Sequence, residues 1–493
     1  MTQTPPPSPN TPEALDASSQ KESALRRSLR IILIAWIFGA FWQWTISGAA
    51  MTRFAIGLDT PAWAFGLLAM IPPLAGILQL PASLLLERYG RRKHVFLIAM
   101  SFSRAVWVLI AAIPWLLPES QTLWWPLLLV AMFVSWATAH LAVPAWMNWM
   151  ADVIPTRVRG RYFGKRNRVG QIVGIVATIG IGFLMDAAEH VGAVTDIDAG
   201  RLMMLTTSAI LAMAGLFGVL DIQCFTRIRD DAAPLPSKSI QWRSFLIKPL
   251  KDKSFRYFLG FNFVLWMGIG SVAQYLWLYL FDVILVSNHT ANMMLVALPL
   301  FAFALTFPLW GKLMDRVGCR PVLLICSFLS ALGSLGWLFV QPGMIWPAYV
   351  FVFGTILCWP GVEIAGFNLL LGIAGSGKGG GAYVACNALA VGLGGICSGV
   401  LSSIIAACFV DLHWTLPSMN VVVTYHTLII FASLVLRMLA VPLVLGIEEP
   451  KAHKTQEVIK YMSSTMHSNV RTFILLPNKL MSQMIRRTYK KRE

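Results

Sequence analysis

Glu363 is the residue whose chemistry sits most awkwardly in its surroundings. It lies in LCWPGVEIAGF (Leu357–Phe367), inside an apolar run of about 345–373, two residues beyond a helix-breaking Pro360-Gly361 pair. An ionisable side chain at the centre of a lipid-spanning helix costs about 2.5–3.5 kcal/mol on insertion scales, so such a residue is a functional candidate. Burial penalises the charged form of a carboxylate, and proton occupancy then depends on which face of a membrane the surrounding cavity meets. That is the chemistry of a proton-coupling site. Pro360 lacks an N–H and crowds the preceding turn, while Gly361 removes side-chain restraint, so a hinge is expected at this pair.

Three other ionisable residues reach similar depth: Arg104, His140 and Arg437. Arginine can snorkel to headgroups, and a mid-span histidine can be satisfied within a bundle, so these are weaker candidates than a short-armed glutamate.

The elements that must position these groups are membrane helices. The chain has 493 residues, 57% hydrophobic and 13% charged, with mean hydropathy +0.65. Apolar runs long enough to cross a hydrocarbon core recur at about 29–52, 61–86, 94–117, 123–147, 167–187, 201–223, 256–284, 290–313, 321–341, 345–373, 382–409 and 421–446. Without water to satisfy backbone groups, runs of this length are helices. The fold class is an all-α polytopic membrane protein with twelve spans.

Of the 40 Lys+Arg residues, 36 fall in the termini and the loops on the same side as the termini, which the positive-inside rule assigns to the cytoplasm. The net charge of +17 is thus a match to an anionic leaflet, and nucleic-acid binding is not expected. The polar, Pro-rich start reads as a disordered cytoplasmic tail over 1–25 without a signal peptide. Six spans follow over 26–223, then a cytoplasmic linker over 224–255 whose SFLIKPLKDKSFRYF segment has interfacial character, and six more over 256–447. A basic amphipathic cytoplasmic tail over 448–493 closes the chain as a surface anchor. The seven cysteines, all between Cys224 and Cys408, lack metal-ligand spacing and read as packing residues.

An internal repeat links the two sets of spans. Glu87-Arg88-Tyr-Gly90-Arg91-Arg92 after the second span recurs as Asp315-Arg316-Val-Gly318-Cys-Arg320 after the eighth, 228 residues later. NWMADVIPTRVRGRYFGKRN from Asn148 aligns with NLLLGIAGSGKGGGAYVACN from Asn368 at an offset of 220. At that offset Val143 stands where the second copy has Glu363, so the scaffold is built once without the acid. The alignment also accounts for GIAGSGKG at 372–379, a phosphate-loop look-alike in which Gly379 replaces the magnesium-binding Ser/Thr.

These loops resemble the Major Facilitator Superfamily, whose connection between helices 2 and 3 carries G-x-x-x-D-R/K-x-G-R/K-R/K. Gly311 to Gly318 fits, whereas the first copy has Ser83 and Glu87 in place of Gly and Asp. Asp152-Val-Ile-Pro155-Thr-Arg-Val-Arg159-Gly160 is similar to the signature that sugar-porter members carry at the end of helix 4. The fourth span lacks an Arg and the fifth lacks the G-P-x-x-G-G element of drug/proton antiporters. The resemblance is to a bacterial-type member, with no subfamily assigned. It implies two pseudo-symmetric six-helix bundles and a substrate path lined by helices 1, 4, 7 and 10. On that path Trp42, Gln43, Arg104, His140, Asn262, Trp266, Gln274, Trp359 and Asn368 are cavity candidates, since indoles stack on rings and amides bond hydroxyls.

The expected cytoplasmic gate comprises Glu87, Arg88, Gly90, Arg91, Arg92, Asp152, Arg159, Gly160, Asp315, Arg316, Gly318 and Arg320, whose arginines can bond carboxylates or helix C-terminal carbonyls. The function expected is alternating-access transport of a small organic solute by proton symport, with Glu363 as coupling group and Pro360-Gly361 as hinge. The partners are that solute, protons and the bilayer, with a monomer as functional unit in the cell membrane (the inner one in a Gram-negative cell). A proton-independent facilitator or exporter of amphipathic compounds, or a non-transporting sensor, is compatible with the same features. No cofactor, metal or enzymatic constellation is expected.

Overall fold

The computed structural model describes residues 12–83, 92–195, 198–228, 247–374, 380–416 and 421–449. Among them, twelve helices are long and apolar enough to cross a membrane. In chain order they are α1 (Glu22–Ile46), α2 (Ala64–Ser83), α3 (Arg92–Leu116), α4 (Gln121–Val153), α5 (Thr156–Val194), α6 (Ala199–Arg227), α7 (Lys253–Val283), α8 (Asn288–Val317), α9 (Cys319–Phe339), α10 (Trp346–Ala374), α11 (Gly381–Cys408) and α12 (Tyr425–Gly446).

Three local features depart from the sequence reading. α1 belongs to a helix that already begins at Pro12, so the expected disordered tail is helical over 12–25; proline suits a first helical position, and Glu22 pairs with Arg26 one turn on at 2.7 Å. The first span ends at Ile46, short of residue 52, because Ser47-Gly48 interrupts it before a separate helix, Ala49–Gly57. The connection between α11 and α12 carries a two-stranded hairpin, β1 (Trp414–Leu416) against β2 (Val421–Val423). Most of the linker, the 375–379 loop and the tail from 450 lie outside the described residues.

The helices form two bundles, α1–α6 and α7–α12, related by an approximate repeat. Gly174 of α5 presses against Trp44 of α1, and its repeat partner Gly394 of α11 presses against the Phe263 carbonyl of α7. The bundles meet through α2 with α11 and through α5 with α8.

Burial shows which end of the protein is sealed. At the end bearing the chain termini, each bundle keeps its own core: Ile32, Phe96, Trp149 and Ile222 in one, Phe255, Met314, Val322 and Val444 in the other. At the opposite, far end the cores merge across the bundles, joining Phe54, Trp107 and Leu211 to Tyr275, Leu278 and Tyr425. The bundles are therefore fused at the far end and separate towards the termini.

Candidate functional site

Polar contacts reinforce the far-end seal. Asn288, at the start of α8 and fully buried, accepts from Arg53 Nε at 2.8 Å and donates to Asp186 Oδ1 at 2.9 Å and Glu189 Oε2 at 3.1 Å. Its backbone N–H and that of His289 donate to the Asp186 carboxylate at 2.7 and 3.1 Å, an anion at a helix N-terminus. Asn292 accepts from the Ala49 N–H at 3.0 Å and donates to the Thr178 carbonyl at 2.8 Å. Arg53 also lies over the Phe281 ring at 4.1 Å. Burial lowers its guanidinium from the usual range, opposed by Glu189, Asp282 and Asp186. Between α7 and the start of α2, Tyr275 donates to the Ala62 carbonyl at 3.0 Å and accepts from the Gly66 N–H at 3.1 Å.

Beneath this seal a cavity of about 590 Å³ lies between the bundles. One wall comes from α1 and α5, with Trp36, Gln43, Trp44, Arg166, Asn167 and Gln171; the other comes from α8 and α10, with Phe303, Thr355, Trp359 and Glu363. Glu363 lies eleven residues before the end of α10 and Arg166 ten after the start of α5. Both sit about 15 Å from the terminal side at 1.5 Å per residue. Glu363 is the only acid among the described lining residues, and it accepts from Trp359 Nε1 at 2.7 Å.

Of the sequence candidates, Gln43, Trp359 and Glu363 line the cavity, and Trp266 stands edge-on to Trp359 at 6.3 Å. The others lie elsewhere. Trp42 is core, packed against Trp107 and Trp136 and covered by the Arg104 guanidinium 3.3 Å from its ring centroid. His140 stacks on Trp136 and meets Gln79 Nε2 at 2.5 Å. Asn262 donates to Asn387, the repeat partner of Asn167, at 2.8 Å. Gln274 sits at an interruption of α7, and Asn368 is exposed near the terminal end of α10. Arg437 does not snorkel: it is buried, donating to the Ser330 carbonyl at 2.9 Å and to Ser334.

The expected hinge differs from its anticipated form. α10 runs unbroken through Pro360, and the Trp310 indole of α8 donates to the Leu357 carbonyl at 2.7 Å in the turn that proline disturbs. Gly361 is a contact point: a Cβ there would stand 2.6 Å from Cys326 Sγ and 3.0 Å from the Trp310 ring.

Several of the described gate residues make bonds within their own bundles. Arg92 pairs with Asp152 at 2.5 Å, and Arg159 caps the end of α4 through the Ala151 carbonyl at 2.6 Å. Arg320 reaches the Leu445 carbonyl at 2.6 Å, and Glu449 accepts from the N–H groups of Cys319 and Arg320 at 3.1 and 2.7 Å. Gly318, at φ +92°, makes the turn between α8 and α9. Gly160 lies in the first turns of α5 with open space beside it, and Asp315 and Arg316 are exposed at the end of α8. Glu87, Arg88, Gly90 and Arg91 lie outside the described residues.

Sequence reasoning missed Arg166, Asn167, Gln171, Trp36 and Trp44 in the cavity, and Asp221 behind it. Arg166 lies 3.6 Å over the Trp36 ring, and Gly170 leaves room for that indole. Asp221 of α6 is 5% exposed and abuts Gly39 of α1. A signal for the α5 face exists in the four-residue spacing of Tyr162, Arg166, Gly170 and Gly174, which places them on one helix stripe.

The model of the Major Facilitator Superfamily matches residues 31–396. No curated protein matches the chain by sequence. Among solved structures, the D-xylose–proton symporter aligns with TM-score 0.63 and 15% identity over 87% of this chain and 98% of its own. The nucleoside transporter NupG aligns with TM-score 0.59 and 11% identity over 86% of this chain and 98% of its own. A POT family transporter in complex with a thioalcohol-conjugated peptide aligns with TM-score 0.59 and 10% identity over 86% and 97%.

Proposed function

Since the chain belongs to the Major Facilitator Superfamily, we propose that it carries a small organic solute by alternating access, with Glu363 as the group whose proton moves with the solute. The observation that carries this reading is the placement of one acid, Glu363, on the wall of a cavity between two bundles that are fused at one end only. A carboxyl group in such a cavity meets one aqueous phase at a time. When the bundles rock, the same group exchanges its proton with the other phase, so a pH difference biases the direction of the cycle.

The termini and basic loops belong to the cytoplasm on this reading, which makes the conformation inward-facing and the Asn288 cluster the closed outer gate. The contacts of Arg159 and Arg320 within single bundles are what a disengaged inner gate would make. The protein then resides in the cell membrane and works as a monomer, since one chain supplies both cavity walls.

The test is uptake into proteoliposomes across a solute panel, with the outside acidified. The unaltered protein should accumulate a solute only with the gradient, and Glu363→Gln should lose accumulation while retaining solute exchange. Gradient-driven uptake by Glu363→Gln equal to that of the unaltered protein would refute the coupling role, and gradient-independent flux by the unaltered protein would identify a facilitator.

A further inference from the structure

The wall that faces Glu363 has a chemistry of its own. The Arg166 guanidinium lies over the Trp36 ring and, among the described residues, has no carboxylate bonded to it; its Nε and the Trp36 Nε1 are both buried without a hydrogen-bond partner. Gln43, Asn167 and Gln171 line the same wall and add amide donors.

Behind that wall no acid is dedicated to Arg166 among the described residues. Arg104 and Arg166 share one acid within electrostatic range, Asp221, and both Arg104 and Asp221 are more than nine-tenths buried.

We infer that the solute is an organic monocarboxylate whose carboxylate docks on Arg166 while its apolar or ring-bearing body lies between Trp44 and Trp359. A guanidinium presents paired donors that match a carboxylate, and burying it beside a neutral solute would leave both its charge and its donors unmet. Arg166 is the one cationic side chain among the described lining residues, so it pairs with one carboxylate. The cavity volume of about 590 Å³ admits a solute of one or two rings. Combined with the proposed proton on Glu363, on which this part rests, one monocarboxylate and one proton cross together and transport is electroneutral.

The test measures binding to the purified full-length protein in nanodiscs at one pH, with no gradient. The probes are matched acid and amide pairs: benzoate and benzamide, nicotinate and nicotinamide, indole-3-acetate and indole-3-acetamide. At least one acid should bind about tenfold or more tighter than its amide, the scale of a lost charge-assisted hydrogen bond. Arg166→Gln should abolish that preference, Arg166→Lys should keep part of it, and Arg157→Gln, an exposed arginine away from the cavity, should leave it unchanged. Equal binding of acids and amides, no binding by any acid, or a preference that survives Arg166→Gln would overturn the inference. The acid-to-amide comparison on the unaltered protein stands even if Arg166→Gln fails to fold. A neutral solute driven by protons through Glu363 would sink this inference and leave the coupling role intact. Carboxylate recognition with gradient-independent flux would do the reverse.

Discussion

Asn288→Ala should open the far end. The side chain is fully buried and makes three hydrogen bonds across the bundle interface, to Arg53, Asp186 and Glu189, each an ionisable partner. A hydrogen bond to a charged group contributes about 1.5–3 kcal/mol. The Asp186 carboxylate keeps the backbone N–H groups of residues 288 and 289 and the His289 ring, so part of its satisfaction survives. The net loss to the closed far end is then about 2–4 kcal/mol, which at 1.4 kcal/mol per decade shifts the open-to-closed ratio by about 30- to 700-fold. Spin labels report this directly. In a variant freed of its native cysteines, one pair at Glu119→Cys and Asp411→Cys reads the far end and one at Arg157→Cys and Lys312→Cys reads the terminal end. The far-end distance distribution should lengthen and the terminal-end distribution shorten together. Unchanged distributions at both ends, with an unchanged melting temperature, would refute the assignment of this cluster as the lock.

Two glycine contacts make further tests. Gly66→Leu places a Cβ 2.5 Å from the Gly399 carbonyl oxygen, pushing α2 off α11, and should cost the closed far end about 1–3 kcal/mol, read by the same far-end label pair. Gly361→Val drives a branched side chain towards Cys326 and Trp310 inside one bundle. It should lower thermal stability by about 1–3 kcal/mol in a melt without moving either label pair, whereas a true hinge at Pro360-Gly361 would move both.

How much of this was legible in the sequence depended on contrast. The twelve helices were legible because hydrocarbon thickness sets their length and lipid leaves no other secondary structure. Glu363 was legible because a lone charge in an apolar run stands out. Arg166 was hidden by its neighbours: it sits among the basic residues of Arg157–Arg168, which read as a loop on the termini's side, whereas α5 starts at Thr156 and carries it about 15 Å inward. Asp221 was hidden in the same way, close to the end of its run yet sunk against Gly39. The sequence does not separate Trp42 from Trp44, because a helix apolar on every side has no phase to read. Trp36, Gln43 and Trp44 face the cavity, whereas Trp42, one residue from Gln43, turns into the core. The Asn288 lock was illegible since its partners are 99 to 235 residues away in the chain.

The repeat explains why the cavity has a polarity. The scaffold pairs Asn167 with Asn387, yet Asn167 faces the cavity while Asn387 is taken by Asn262. It pairs Val143 with Glu363, and only the second carries a proton-binding group. The two bundles therefore differ at different helices, α5 carrying the cavity-lining cation Arg166 and α10 the cavity-lining acid Glu363. Had both charges arisen on one bundle, they could have neutralised each other as a permanent ion pair and left a cavity with nothing to offer a solute. Placed on opposite walls at equal depth, they remain available, and on the proposed reading the Arg166 wall recognises the solute while the Glu363 wall ties its passage to a proton.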